Sequence, residues 1–419
     1  MRLLSSSFVL VAMVLAGCSG GTSVASGALE LEPTVILVSF DGFRWDYLED
    51  AETPNLDRVA AEGVHARSLI PPYPSKTFPS HYSIATGLYP GHHGLLSNHM
   101  RDPELGAEFT MADREQVERG AWWGGEPIWV TAERQGLVAA TLFWPGSEAE
   151  IDGVRPTYWE RYNEDLKWKK RVEQAMEWLE LPREERPRLI TLYFEEPNST
   201  GHRYGPESPK TSRAVERVDE ILGDLLAALE ERSALDQVNL ILVSDHGMAA
   251  VSEERTIYVD DYFSPEEGEI FETGALLQIF PGAGREDAIY GTLKGAHPNL
   301  SVYRSGEIPD QFHLRDNPRI APIWGIPDVG WEALTHDGAG RIWGGALGVG
   351  LGGDHGQDPF HSDMHGLFMA RGPAFREGLE TDAFENVQVY NLMALALGLD
   401  PAPNDGDLET MSHVLRSSE

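Results

Sequence analysis

The chain has 419 residues and is 41% hydrophobic, enough to build one large α/β domain with an insertion, or two domains. It carries 67 acidic and 33 basic residues, a net charge of −34, which argues against binding a nucleic-acid polymer and leaves any anionic substrate to be met by local cations. Cys18 is the only cysteine, which excludes an internal disulfide framework.

Arg2 followed by the apolar run Phe8 to Ala16 reads as a secretion signal over residues 1–17, too short for a stable membrane span. It ends in Leu15-Ala16-Gly17-Cys18, which resembles the bacterial lipoprotein box, where the cysteine is lipidated and becomes the first mature residue. An ordinary signal peptide with an incidental cysteine is the alternative. The lipoprotein reading makes the protein exported and lipid-anchored in the bacterial envelope, facing the periplasm or on the outer membrane. Its membrane contact is then only through the anchor on Cys18, with residues 18–32 as a Gly/Ser-rich tether.

Thr34 to Phe40 is a continuous apolar, β-branched run, the pattern of a strand buried on both faces of a parallel sheet. Asp41 comes directly after it, where ligands of open α/β sheets collect; a turn or capping aspartate reads the same way. A helix is expected from Thr53 to Gly63. In the stretch Ser75 to His81, Pro79 suits a first helical turn, so a helix is expected to run on to Gly87. That places the Thr77 hydroxyl just ahead of a helix N-terminus, where free N–H groups collect anions. An alcohol is a poor nucleophile until a base or a metal activates it. Gly87 to Gly94 holds too many breakers for regular structure. Asn98, on the next loop, either donates to a phosphate oxygen or forms a turn.

Trp122 and Trp123 lead into a further helix, and Ala139 to Gly146 reads as a second strand. Helical spacing over Asn163 to Leu181 precedes a third strand, Arg188 to Phe194. Asn198 and His202 lie just beyond it. An amphipathic helix over Arg213 to Leu229 leads to a fourth strand, Asn239 to Ser244, which ends in Asp245-His246-Gly247. The turn at Gly247 lets an adjacent carboxylate and imidazole converge, as a zinc-like ion requires; a capping Asp beside a surface His is the alternative. From about 253 to 342 strong strand runs thin out, and the segment reads as an insertion capping the site. Asp354-His355-Gly356, a strand near Leu367 to Ala370 and a closing helix over Val387 to Leu397 complete the domain, leaving 407–419 as a tail.

Asp41, Asp245, His246, Asn198, His202 and His355 all come after strands or Gly-rich turns, which places them on one edge of one sheet. Oxygen and imidazole ligands in this number suit two ions about 4 Å apart, able to clamp the attacking and leaving oxygens of a displacement at phosphorus. No Walker loop or dinucleotide fingerprint competes.

The segments Val38 to Arg44, Lys76 to Tyr82, Tyr193 to Pro206, Ser244 to Met248 and Asp354 to Gly356 resemble the nucleotide pyrophosphatase/phosphodiesterase family of the alkaline phosphatase superfamily. The resemblance runs in order from about residue 33 to 406, the expected catalytic domain. It implies a three-layer α/β/α, alkaline-phosphatase-like core with a mainly parallel central sheet and a smaller capping insertion. It also implies a phosphodiesterase holding two zinc ions. Thr77 is then the nucleophile and a ligand of one zinc with Asp41, Asp245 and His246; Asn198, His202 and His355 hold the other. Asn98 and the Thr77 N–H would hold a phosphate oxygen. Phe78 with Tyr158 or Tyr162 would sandwich a nucleobase, with Trp122 and Trp123 lining the pocket. The implied substrate is a nucleotide or other small phosphodiester, cleaved to a nucleoside 5′-monophosphate through a covalent Thr77 intermediate.

The family has an aspartate where this chain has Asn198, a neutral and weaker ligand, so the second zinc is expected to bind more loosely. That departure leaves a metal-depleted, non-catalytic surface protein as an alternative. A lipid phosphodiesterase, phosphonate hydrolase or phosphomonoesterase of the same superfamily is another. A sulfatase is disfavoured, because no cysteine outside the signal could become formylglycine.

Overall fold

The computed structural model describes residues 29–315, 317–343 and 351–416. The signal, Cys18 and most of the tether lie outside the described residues. The centre is an eight-stranded sheet built from β1 (Thr34–Phe40), β2 (Val64–Ala66), β3 (Ala139–Leu142), β4 (Tyr158–Glu160), β5 (Leu189–Phe194), β6 (Val238–Val243), β7 (Phe368–Arg371) and β8 (Leu379–Thr381). Their spatial order is β8-β2-β7-β6-β1-β5-β3-β4, and only β7 runs against the rest.

The central strands are apolar on both faces because both faces are covered. Val35 and Leu37 of β1 pack under α2 (Thr77–Thr86), α3 (Ile128–Arg134) and α7 (Gln388–Leu397). Ile36, Val38 and Phe40 pack under α1 (Pro54–Glu62), α4 (Trp168–Leu179) and α6 (Pro209–Glu231). The core is therefore the expected three-layer, alkaline-phosphatase-like α/β/α arrangement.

Three local expectations are corrected. Thr77 is the first residue of α2 rather than a residue ahead of it, with extended Lys76 as the N-cap and Pro79 at the third position. The breaker-rich stretch after Gly87 contains one short helix, Pro90–His93. The segment expected to be poor in strands folds a four-stranded antiparallel sheet of Gly268–Glu272, Leu277–Pro281, Ile323–Pro327 and Leu300–Arg304, in that order. It has its own apolar core, including Leu277, Ile279, Ile289, Leu300, Val302 and Ile323. Gly325 breaks the apolar run of one of these strands. It lies opposite Leu277, and a Cβ there would sit 2.9 Å from the Leu277 side chain, so close pairing needs glycine.

One contact ties two helices of the outer layer together. Thr53, the N-cap of α1, makes no side-chain cap bond. Asp219 of α6 caps α1 instead: its Oδ1 accepts the N–H groups of Leu56 at 2.7 Å and Asn55 at 3.0 Å. Asp219→Ala would leave those donors buried without an acceptor, a cost of roughly 1–3 kcal/mol. The expected outcome is a lower urea midpoint with an unchanged denaturant slope.

Candidate metal centre and active site

Parallel strands deliver their carboxyl ends to one edge, and register decides which residues meet there. Ser39 of β1 is level with Val243 of β6, so Asp41 and Asp245 leave the sheet at the same height, two residues on. Phe40 is level with Phe194 of β5, and the Asp41 N–H donates to the Phe194 carbonyl at 2.9 Å. Asn198 then arrives at the start of the short helix α5 (Asn198–Tyr204), its N–H donating to the Asp41 carbonyl at 2.9 Å. Gly42, at φ +67°, permits this approach; a Cβ there would lie 2.8 Å from the Asn198 Cβ.

Four of the expected residues form one cluster. His246 Nε2 lies 3.0 Å from Asp245 Oδ2, 3.4 Å from Asp41 Oδ1 and 3.3 Å from Thr77 Oγ1. All four residues are buried. His202 and His355 form a second cluster, their Nε2 atoms 3.2 Å apart. The His246 and His355 rings stack with centroids 3.4 Å apart, so the two clusters adjoin.

Each of the three imidazoles has Nδ1 against a backbone carbonyl: His246 to Gly247 at 2.8 Å, His202 to Gly353 at 2.9 Å and His355 to Ser75 at 2.7 Å. A carbonyl only accepts, so Nδ1 carries the hydrogen and Nε2 presents its lone pair inward. This is the arrangement of metal-ligating histidines. Asp41 Oδ1 and Asn198 Oδ1 are buried without a hydrogen-bond partner. Orphaned oxygens and inward lone pairs at one sheet edge fit a metal centre.

Two carboxylates this close cannot both hold charge in a dry site unaided. Burial, then the Asp245 charge, pushes Asp41 up to about 7. Burial also raises Asp245, but the flanking His246 and His81 rings outweigh it and hold Asp245 well below the usual carboxylate range. Burial lowers His355 well below the usual imidazole value, and the neighbouring His246 and His202 add to it.

The motifs gave no role to three residues of this neighbourhood. Tyr193 donates its hydroxyl to Asp41 Oδ2 at 2.6 Å. His81 places Nδ1 2.8 Å from the Thr77 carbonyl and 3.2 Å from Asp245 Oδ2, and its Nε2 meets Ser39 Oγ at 2.8 Å. Asp354 joins His202 and His355, with one ligand atom from each of the three within 4.8 Å of the others. His81 and Asp354 stood inside or beside the motifs, but their local sequence carried no sign of which cluster they would join.

A cavity of about 240 Å³ opens beside Thr77 and Asp41, and Phe78, Tyr162, Tyr193 and Asn198 line it. Phe78 and Tyr162 thus face one space, as expected of a stacking pair. Tyr158 does not: it lies on β4, stacked on Trp178 at 6.2 Å, in the opposite helical layer. Trp122 is fully buried, and its Nε1–H donates to Gln116 Oε1. Trp123 is buried beneath Phe78, ring centroids 6.0 Å apart, and its Nε1–H donates to the Val117 carbonyl. Both tryptophans are core supports rather than pocket lining. Asn98 Oδ1 accepts the Phe78 N–H at 3.0 Å, which fixes its amide at the start of α2.

A three-layer α/β/α core with buried Asp/His clusters and an alcohol at the carboxyl edge of its sheet defines a protein of the alkaline-phosphatase-like fold class. Residues 35–366 match the model of the family "Type I phosphodiesterase / nucleotide pyrophosphatase", and the chain belongs to that family. It is 39% identical over 410 residues to venom phosphodiesterase 2 of Crotalus adamanteus, covering 95% of this chain and 49% of that protein. It is 37% identical over 396 residues to human ectonucleotide pyrophosphatase/phosphodiesterase family member 1, covering 92% of this chain and 42% of that one. The chain thus spans about half the length of these relatives. The solved structure of murine ectonucleotide pyrophosphatase/phosphodiesterase 5 superposes with a TM-score of 0.86 at 35% identity, covering 91% of this chain and 100% of that one. An inactive variant of that murine protein, in complex with AMP, gives 0.87 at 35% identity, covering 92% and 100%.

His81 braces the first cluster without lining the cavity. His81→Ala removes the ring that holds Asp245 and should lower metal affinity about 10- to 100-fold, as losing a hydrogen-bond partner of a ligand does at other metal sites. The check is metal retained after dialysis against a graded chelator series; unchanged retention would show that Asp245 is held without it.

Proposed function

We propose that this protein is a two-metal phosphodiesterase that cleaves nucleotide phosphodiester or pyrophosphate bonds and releases a nucleoside 5′-monophosphate. The observation that carries the reading is the position of Thr77. Its Oγ1 stands at the first residue of a ten-residue helix, 3.3 Å from His246 Nε2, in the cavity that Phe78 and Tyr162 line. The AMP bound to the murine relative supports a nucleotide as ligand.

Asp41, Asp245, His246 and Thr77 would hold one zinc, and His202, His355 and Asn198 would contribute to the other. Bound there, the ions would supply the positive charge that draws in a phosphate and lowers the pKa of hydroxyl and water.

The chain's own residues arrange the rest. Phe78 and Tyr162 stack on the base and set the phosphate over Thr77. The Thr77 N–H at the start of α2 and the Asn98 amide N–H group meet a non-bridging oxygen and stabilise the charge that builds on it. Thr77 Oγ1 gives its proton to solvent and forms a bond to phosphorus as the bond to the opposite oxygen breaks, and the leaving oxygen takes up a proton from solvent as the alcohol or pyrophosphate departs. A water then attacks the same phosphorus, the Thr77 Oγ–P bond breaks, and the hydroxyl regains its proton. Tyr193 and His81 keep Asp41 and Asp245 oriented throughout.

Thr77→Ala is expected to abolish turnover of p-nitrophenyl thymidine monophosphate while leaving circular dichroism unchanged; substantial residual turnover would count against the covalent route. Phe78→Ala should raise KM for that nucleotide ester and leave bis-p-nitrophenyl phosphate little affected. Faster cleavage of p-nitrophenyl phosphate than of either diester would instead identify a phosphomonoesterase.

Export and anchoring rest on residues 1–18. A Cys18→Ala chain expressed in bacteria should move from the membrane to the soluble envelope fraction, and its staying with the membrane would remove the anchor.

A further inference from the structure

Asn98 stands just ahead of a hairpin formed by His99–Asp102 and Ala107–Thr110. Its Oδ1 is taken by the Phe78 N–H, so the amide can donate to a phosphate oxygen only through Nδ2. A donor of that kind acts only if it is held in place before charge develops. The segment from 253 to 342 supplies the grip. Ser97, fully buried, donates its hydroxyl to Glu272 Oε1 at 2.8 Å. The His99 ring stacks on Phe271, centroids 3.9 Å apart. The Arg101 guanidinium lies 4.7 Å from the Phe271 ring centroid and 4.6 Å from that of Phe280, and its Nη1 meets Glu269 Oε2 at 3.0 Å.

Successive side chains of a regular strand face opposite ways, so Phe271 and Glu272 should not both reach the segment around Asn98. A β-bulge in Gly268–Glu272 makes it possible. Ile270 pairs with Ile279 and Glu272 with the adjacent Gln278, which leaves Phe271 as the extra residue. Gln278 donates its Nε2–H groups to Glu272 Oε2 and to the His99 carbonyl. One carboxylate oxygen of Glu272 therefore serves Ser97 and the other its cross-strand partner. Burial pushes the Glu272 carboxyl up from its ordinary value, and the Lys76 ammonium works against that cost.

We propose that Glu272 is a positioning residue for the phosphodiesterase reaction: through Ser97 it fixes the Asn98 amide against the start of α2. The inference rests on the role given to Asn98 above and deepens it. Asn98 is then gripped from two sides. The Phe78 N–H holds its side chain from α2, while Glu272 holds the residue before it and Phe271 with Gln278 holds the residue after it. The four-stranded sheet is thereby a working part of the active site. Without the Glu272 carboxylate, the Ser97 hydroxyl loses its acceptor in a buried place, and the backbone that carries Asn98 is free to shift. A shift of about 1 Å in such a group is enough to cost up to about 100-fold in rate.

The test is a double-mutant cycle on kcat and KM for p-nitrophenyl thymidine monophosphate. Glu272→Ala should lower kcat at least about tenfold and leave KM within about twofold, because a donor that serves the transition state is misplaced. Ser97→Ala removes one hydroxyl and disturbs the fold less; it should lower kcat at least about threefold with the same constancy of KM. Adding Ser97→Ala to an Asn98→Ala chain should cost less than about twofold, since the group it positions is already gone. A cost in that background as large as in the unaltered chain would overturn the proposal, and so would unchanged kcat in both single variants. Metal retained after gel filtration should match the unaltered chain, and metal lost in step with kcat would also overturn it. Full turnover by Asn98→Ala alone would overturn the role given to Asn98, and the inference with it.

Discussion

The structure turns on two acids, Asp41 and Asp245, that end adjacent parallel strands at the same height and are both withdrawn from water. Like charges so placed repel, and burial removes the solvent that would screen them. One is pushed up to about 7 and the other held well below its usual range by the two imidazoles around it. Such an arrangement persists only where something positive belongs between the carboxylates. The alcohol of Thr77 is delivered to the same point by a helix N-terminus, which draws anions. Reagent, charge and substrate attraction therefore share one location, and each depends on the register of β1 against β6.

The supports are spread through the chain. Tyr193 reaches Asp41 from β5, and His81 reaches Asp245 from one turn inside α2 while also holding the Thr77 carbonyl. Beneath Phe78 lie Phe109 and Trp123, which turn an exposed-looking aromatic into a positioned one. The segment from 253 to 342 adds its own sheet and sends Glu272 and Glu332 toward Lys76.

Much of the site was legible in the motifs because parallel α/β sheets put function at the ends of their strands. The apolar runs Thr34 to Phe40, Arg188 to Phe194 and Asn239 to Ser244 marked three strands, and Asp41, Asn198 and Asp245 stood out as polar residues shortly past the end of each run. The aromatic assignments fared unevenly for a physical reason. Phe78 sits next to Thr77 in sequence and could hardly be elsewhere. Tyr158, Trp122 and Trp123 could face either the core or the cavity, and burial of large apolar area drew all three away from the opening.

What the chain's local pattern determined by itself was which segments form buried strands and amphipathic helices, and which polar residues stand just past them. Hydrophobic period and breaker residues are near-neighbour properties, so they survive in a linear reading. Only the tertiary structure decided that Asp354 meets His202 across 152 positions, that His81 faces Asp245 across 164, and that the glycine-broken capping segment pairs into a sheet. Those convergences arise from strand register and from how distant loops return to one edge. No short window of sequence encodes them, because the partners that hold each residue lie in other elements.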